Sequence, residues 1–256
     1  ADPLGFEFGL RYWYSWGAHG MTVLGDNYSS NDTSHIVEAH GRIDDRSSGV
    51  YLKGLAGHSA IINASYSTPT TPAGASQGGR ILYAGADVGY APLRDGETML
   101  AGFAGYQYWN DSPDMGQVNF IGGSLPNDIN FHMLRLGISG RIDFGGLADV
   151  PAEVAAVPYA PVWGTYGAFD GSAAPGNQTS AGNLSGWLYG AAGEVMARFR
   201  PHENWAIGLG GRAWYLTGNP DVTFSTDNGG GTNYITGVTQ FSTFRYGLLG
   251  EVTYKF

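Results

Sequence analysis

The 256 residues include 22 Asp and Glu against 13 Lys and Arg, 42 glycines and no cysteine, with 14% aromatic and 14% charged residues, where an ordinary soluble domain is about 25% charged. Without cysteine there is no disulfide framework, thiolate metal site or cysteine nucleophile. No apolar run approaches the roughly 18 residues of a spanning helix, and no basic-then-apolar leader opens the chain, so any signal peptide is expected to be already removed. The other way across a membrane is a closed barrel, in which every backbone group finds its partner internally.

In chain order, the first predicted strand is 6–16. Phe6, Phe8, Leu10, Tyr12, Tyr14 and Trp16 fall on one face, and Glu7, Gly9, Arg11, Trp13 and Ser15 on the other, the period of two that a half-buried strand requires. Further strands are predicted near 34–44, 49–60, 80–91, 98–110, 130–143, 147–163, 183–200 and 204–216. Each has an outward set, such as Leu134, Leu136, Ile138, Gly140 and Ile142, or Trp205, Ile207, Leu209, Gly211 and Ala213. In 147–163 the ladder is interrupted by Pro151, Pro158 and Pro161, which cannot donate to it, so bulges or an irregular upper half are expected there. The last strand, 243–256, alternates throughout: Phe244, Tyr246, Leu248, Gly250, Val252, Tyr254 and Phe256 against Thr243, Arg245, Gly247, Leu249, Glu251, Thr253 and Lys255. An apolar face with aromatics at both ends is what a lipid-exposed barrel strand needs, and the closing Phe256 resembles the outer-membrane assembly signal. The first and last strands would pair and close the ring.

Connections alternate in length. Short turns hold Asp44–Gly49, Leu93–Glu97, Phe144–Gly146 and Pro201–Asn204, and long loops run near 17–33, 61–79, 111–129, 164–182 and 217–239. Short periplasmic turns, long outer loops and both termini in the periplasm are the rule for outer-membrane barrels. The expected fold is therefore all-β, a single domain over 1–256: a transmembrane antiparallel up-and-down β-barrel of ten strands in a bacterial outer membrane.

This register makes Phe8, Tyr12, Leu136, Ile138, Leu209, Leu248, Val252, Tyr254 and Phe256 lipid-facing. It sends Glu7, Arg11, Glu38, Arg42, Lys53, Asp87, Arg135, Arg141, Glu153, Glu194, Arg198, Arg212, Arg245 and Glu251 inward, together with Asp44, Asp143, Asp149, Arg200 and Lys255. The inward charges nearly balance, and a ten-stranded barrel is narrow. They read as a plugged lumen of ion pairs and hydrogen bonds, or alternatively as the lining of a narrow pore. The outer loops hold Asp26, Asp32, Asp111, Asp114, Asp128, Asp170, Asp221 and Asp227 and no Lys or Arg. That speaks against nucleic acid as a partner. Such acids form a solvated, repelling surface, or share divalent cations with lipopolysaccharide.

Leu100–Asn110 (LAGFAGYQYWN), Leu136–Asp143 (LGISGRID) and Arg245–Phe256 (RYGLLGEVTYKF) resemble the omptins, ten-stranded outer-membrane barrels whose best-known members are aspartate/histidine-dependent proteases. Arg11–Trp16 (RYWYSW), Val50–Gly57 (VYLKGLAG), Val157–Tyr159 (VPY) and Gly210–Trp214 (GGRAW) are similar to an uncharacterised alphaproteobacterial branch of omptin-like barrels. The resemblance covers most strands and almost none of the loops. It implies a protease with two acids on one rim wall facing an Asp–His pair on the other, together activating a water. Where that pair belongs, Gly164–Asn183 offers Asp170 and no histidine. His19, His35, His58 and His132 lie nearest the rim, and Asp32 with His35 could bridge one water. The family's lipopolysaccharide site is matched only by Arg141, since Tyr108 and Asn110 stand where it presents an acid and an arginine.

No serine-hydrolase elbow, phosphate loop or paired-histidine metal spacing is visible. The expectation is a non-enzymatic barrel without cofactor or metal, with a structural or surface-interaction role among outer-membrane lipids and lipopolysaccharide. A surface or periplasmic protein partner is open. The alternatives are a divergent omptin-type endopeptidase and a narrow pore.

Overall fold

The computed structural model describes residues 3–70, 74–76, 79–113, 118–120, 123–125, 128–167, 169–174, 176–227 and 232–256. Ten long strands form a ring: β1 Leu4–Val23, β2 Asp26–Asp45, β3 Val50–Ser67, β4 Arg80–Arg94, β5 Thr98–Ser112, β6 Asp128–Phe144, β7 Ala148–Thr165, β8 Asn183–His202, β9 Trp205–Gly218 and β10 Gln240–Lys255. Each pairs antiparallel with its chain neighbours, and β1 pairs with β10 from Glu7↔Lys255 to Thr22↔Gln240, so the ring has no free edge. Closure satisfies the backbone groups that an open sheet would leave exposed at its edges.

Side chains alternate between the two faces. On β1 the odd residues from Gly5 to Val23 point inward and the even ones outward, and on β10 the same parity runs from Phe241 to Thr253. At one end the strands are joined by tight turns. Gly49, Gly96, Gly145 and Gly146 sit there at positive φ, which glycine adopts without steric cost. We call this the turn end and the opposite one the extended end.

The extended end differs from the expected long loops. Segment 17–33 is not a loop: β1 runs to Val23, β2 starts at Asp26, and only Leu24 (φ 50°) and Gly25 (φ 91°) connect them. Two positive φ values in a two-residue connection are the hairpin geometry that matches strand twist. The outward residues there are Ala18, Gly20, Thr22, Asn27, Ser29 and Asn31, too polar to read as a barrel strand, although the inward ones alternate with them. β3 likewise continues to Ser67 and takes Gly74–Ser76 as a short partner. A hairpin of Asp221–Asp227 and Thr232–Val238 continues the wall, Thr223 pairing with Asn183 of β8. At 20 residues, β1 and β2 are about twice as long as the 9–11 residues a membrane-spanning strand needs.

The register shifts between Tyr90 and Leu93 of β4 and between Phe199 and His202 of β8, close to the turns, and at two further bulges within the wall. One lies between His35 and Ile36 of β2, opposite Ala60 of β3. The other lies between Val157 and Ala160 of β7, where Pro158 predicts it, because proline has no N–H for the ladder.

Candidate functional site

The interior is filled in layers, and each layer follows from inward parity on several strands. Nearest the turn end, Arg198 of β8 reaches Asp149 of β7 at 2.8 Å and Glu7 of β1 at 2.9 Å. Arg200 bonds Asp143 at 2.7 Å and also takes Asp149. Arg42 pairs with Asp44 at 2.7 Å and lies over the ring of Tyr51.

Above this, Arg11 of β1 sits among three carboxylates, Glu251 at 2.7 Å, Glu38 at 3.2 Å and Glu194 at 3.2 Å. Arg212 of β9 bridges Glu38 at 2.6 Å and Glu194 at 2.7 Å, and the Tyr83 hydroxyl donates to Glu38. A second cluster joins Lys53 to Glu153, and Arg135 to Asp87 at 2.7 Å and to Glu153 at 2.9 Å. These contacts tie strands across the ring as well as neighbours. Charge-assisted bonds of this geometry hold buried charges that would each cost several kcal/mol unpaired.

An aromatic layer follows. Trp13, Tyr83, Trp109, Phe131 and Trp214 come from β1, β4, β5, β6 and β9 and are all buried. Tyr83 stacks on Trp109 with centroids 4.1 Å apart, Trp109 meets Trp214 at 5.1 Å and Trp13 at 6.2 Å, and Phe131 meets Trp214 at 5.5 Å. The sequence reading missed this layer, because it followed the charges at inward positions and left their aromatics aside. Parity alone places four of the five.

Beyond the aromatics, Arg245 of β10 is fully buried. It donates to Asp32 through two bonds of 2.9 Å, to Asp111 at 2.7 Å and to Ser15 at 3.0 Å. His19 meets the other oxygen of Asp111 at 3.0 Å. Asp32 and Asp111 were expected in solvated loops, and the continuation of β2 and β5 carries them into the wall with inward parity instead. An apolar roof then covers the extended end. Tyr28 packs on Phe169 at 5.0 Å, Phe169 on Phe224 at 4.4 Å and Tyr166 on Phe241 at 6.0 Å, with Met21, Leu184, Leu216 and Val222 buried among them. The Tyr28 hydroxyl donates to the Asp170 carbonyl at 2.6 Å. Asp114 lies outside the described residues.

The structure therefore brings together eleven of the fourteen inward residues named from the sequence: Glu7, Arg11, Glu38, Lys53, Asp87, Arg135, Glu153, Glu194, Arg198, Arg212 and Glu251. Arg42 stands at the turn end and Arg245 in its own cluster. The Arg141 side chain forms no hydrogen bond or ion pair among the described residues. It points into the interior at the turn end, between Met99 and Pro151 on the flanking strands, so it does not occupy a lipopolysaccharide-binding position on the outer wall.

Asp32 and His35, which from the sequence could bridge one water, do not face each other. Residues three apart on a strand face opposite ways: Asp32 is inside, and His35 is outside against the Tyr12 hydroxyl. His132 is likewise outside, between Tyr106 and Trp163. Phe8, Tyr12, Leu136, Ile138, Leu209, Leu248, Val252 and Phe256 all point outward and are exposed, Leu209 to 73%, and Tyr254 packs beside Trp205 on the same surface.

No family model and no curated protein matches the chain. Among solved structures, the outer membrane protease OmpT from Escherichia coli aligns with 100% of this chain and 97% of its own at a TM-score of 0.68 and 12% identity. The translocator domain of the autotransporter NalP from Neisseria meningitidis covers 100% and 89% at 0.42 and 10%. The toluene transporter TodX from Pseudomonas putida covers 100% and 89% at 0.36 and 9%. At 12% identity the likeness to OmpT speaks to fold and not to activity: the chain has an outer-membrane-type β-barrel fold.

Proposed function

We propose that the chain is an integral outer-membrane barrel with a closed, polar and aromatic interior and a non-enzymatic, structural or surface-interaction role. Its extended end faces the cell surface, and its turns and both termini face the periplasm. Lipid and lipopolysaccharide contact the outward aromatics and aliphatics. The observation that carries this reading is the stacking of three different layers in one narrow ring: ion pairs around Arg11 and Arg212, the rings around Trp109, and the roof around Phe169. A conducting path has to cross all three. The test is planar-bilayer recording of the purified barrel. Negligible steady conductance is expected, and a reproducible open state of nanosiemens size overturns the closed lumen in favour of the narrow pore.

The fold shared with OmpT favours an omptin-type endopeptidase as the second reading. Against it, His19 and Asp111, which supply an acid–histidine contact, are 3% and 0% exposed, and Arg245 already occupies the acid. Kinship with the alphaproteobacterial branch rests on the short motifs alone.

A further inference from the structure

Two joined features of the turn end are not used by the closed-barrel reading. A mouth cavity of about 500 Å³ opens between the turns, lined among others by Asp44, Arg46, Arg94, Arg141 and Lys255. A smaller chamber of about 70 Å³ lies deeper, lined by Arg11, His40, Arg42, Lys53, Arg198 and again Arg141. Arg141, Met99 and Glu7 line both, so the two are consecutive parts of one vestibule.

The charge on its walls is unbalanced. The two linings together contain Arg11, Arg42, Arg46, Lys53, Arg94, Arg141, Arg198 and Lys255 against Glu7, Asp44, Asp45, Glu153 and Glu194. That is eight cations against five anions, in a chain of net charge −9. The acids are already committed. Glu7 takes Arg198 at 2.9 Å and Lys255 at 3.4 Å. Asp44 takes Arg42, and Asp45 takes the hydroxyls of Ser47 and Ser48 at 2.6 Å. Glu153 takes Lys53 and Arg135, and Glu194 takes Arg11 and Arg212. Even Asp149 and Asp143, which flank Arg141 on β7 and β6, are held by Arg198 and Arg200.

The guanidiniums of Arg141 and Arg46 are thereby left without a hydrogen bond or ion pair among the described residues. Arg46 is exposed on a turn, where water suffices. Arg141 is not: it is partly buried inside the ring, near Asp149 and Asp143 but bonded to neither, and a guanidinium with five donors is costly to leave there without an acceptor. Its planar donor fork matches a carboxylate or phosphate in bidentate fashion. The chamber beside it has room for a few waters, each about 30 Å³ in the liquid, or for one oxyanion head group, and the mouth accommodates a larger remainder.

We propose that this vestibule is an anion-binding site, open at the turn end, in which Arg141 grips a carboxylate or phosphate group and Arg46 attracts it to the mouth. The site is independent of whether the lumen conducts, because it lies on the turn side of the Arg11 cluster. Conductance tests the closed barrel, and anion binding tests this site.

The experiment is titration of the purified, detergent-solubilised full barrel with inorganic phosphate and, separately, with acetate, followed by calorimetry and by phosphorus NMR for the phosphate arm. Saturable one-site binding is expected, and the tighter of the two probes identifies the head group. Arg141→Gln is expected to weaken it by about ten-fold or more, the loss of a charge-assisted bidentate contact. Arg46→Gln weakens it less, and Arg80→Gln, at the extended end, leaves it unchanged. Arg141→Lys keeps the charge without the fork and covers the case in which the glutamine variant does not fold; several-fold weaker binding is expected. No saturable binding of either anion overturns the site, as does binding in Arg141→Gln, or in Arg141→Lys, equal to that of the unaltered barrel.

Discussion

Arg245 and Asp32 reach each other across β1, the strand that separates β10 from β2, and they do so because β1 presents only Gly17 at that level. Gly17 is the cross-strand neighbour of both residues, and a Cβ there would lie 2.4 Å from the Arg245 guanidinium and within contact of the Asp32 carboxylate. The pair is fully buried, so Gly17→Ala has to push apart two charges that water cannot reach. Breaking a buried pair costs roughly 3–5 kcal/mol, and a loss of that order in urea unfolding from lipid vesicles is expected. Gly20→Ala is the matched control. It faces outward on the same strand, with only the Ser242 hydroxyl at 3.4 Å, and little change is expected.

The aromatic layer makes a separate demand on stability. Trp109 contacts Trp13, Tyr83, Phe131 and Trp214 and is 1% exposed, so Trp109→Ala leaves a cavity lined by four rings. A cost of roughly 3–5 kcal/mol is expected. Trp163→Ala, which removes an outward ring of the same size stacked on His132, should cost clearly less. Equal losses for the two variants would mean that the layer is not a packed core.

Glu38 is the acid on which the lower network converges, taking Arg11, Arg212 and the Tyr83 hydroxyl. Replacing it by Ala takes one carboxylate from each of two buried guanidiniums, leaving Arg11 with Glu251 and Glu194 and Arg212 with Glu194 alone, so Glu38→Ala is expected to destabilise by roughly 3–5 kcal/mol, as for a broken buried pair. Asp44→Ala, at the solvated turn end, is expected to cost less than about 1 kcal/mol. Comparable unfolding midpoints for the two variants would contradict the network.

Ten strands, their order and the alternation of faces within the predicted segments were legible in the sequence because a two-residue period survives wherever apolar and polar residues alternate. The period is as regular in 17–33, but there the outward residues are polar too, so the contrast vanishes and the segment reads as a loop. The same loss of contrast hid the Arg245 cluster: Asp32 and Asp111 sit beyond the last outward aromatics, Trp16 on β1 and Tyr108 on β5, where nothing marks parity. Which inward cation would lack a partner was not legible at all. Arg141 and Arg198 have the same parity and similar depth, and only three-dimensional placement gives Asp149 to Arg198.

The outward surface carries its own prediction. Spin labels at Leu248, Val252 or Ile138 are expected to report a lipid environment, and labels at Glu251 or Ser139 the interior. Leu248→Arg is expected to destabilise by roughly 2–4 kcal/mol if that position lies at mid-bilayer depth. Two adjacent positions of β10 both reporting lipid would exclude the alternation.

The last prediction concerns proteolysis. A water-activating acid–histidine pair has to reach both solvent and substrate, since the base must lie within hydrogen-bond reach of the proton it takes. His19 and Asp111 satisfy the first geometric condition, at 3.0 Å, and fail the second. They lie inside the wall, between the aromatic layer and the roof of Tyr166, Phe169 and Phe241, and Arg245 neutralises the acid. His35 and His132 are accessible, but they face outward among tyrosines, with no carboxylate among their contacts. Purified barrel with lipopolysaccharide added is therefore expected to leave peptides with paired basic residues uncut over hours, as judged by mass spectrometry. Cleavage that persists in the unaltered barrel and disappears in His19→Ala, with the fold intact by circular dichroism, would show that the roof opens over His19 and that the chain is a divergent surface protease.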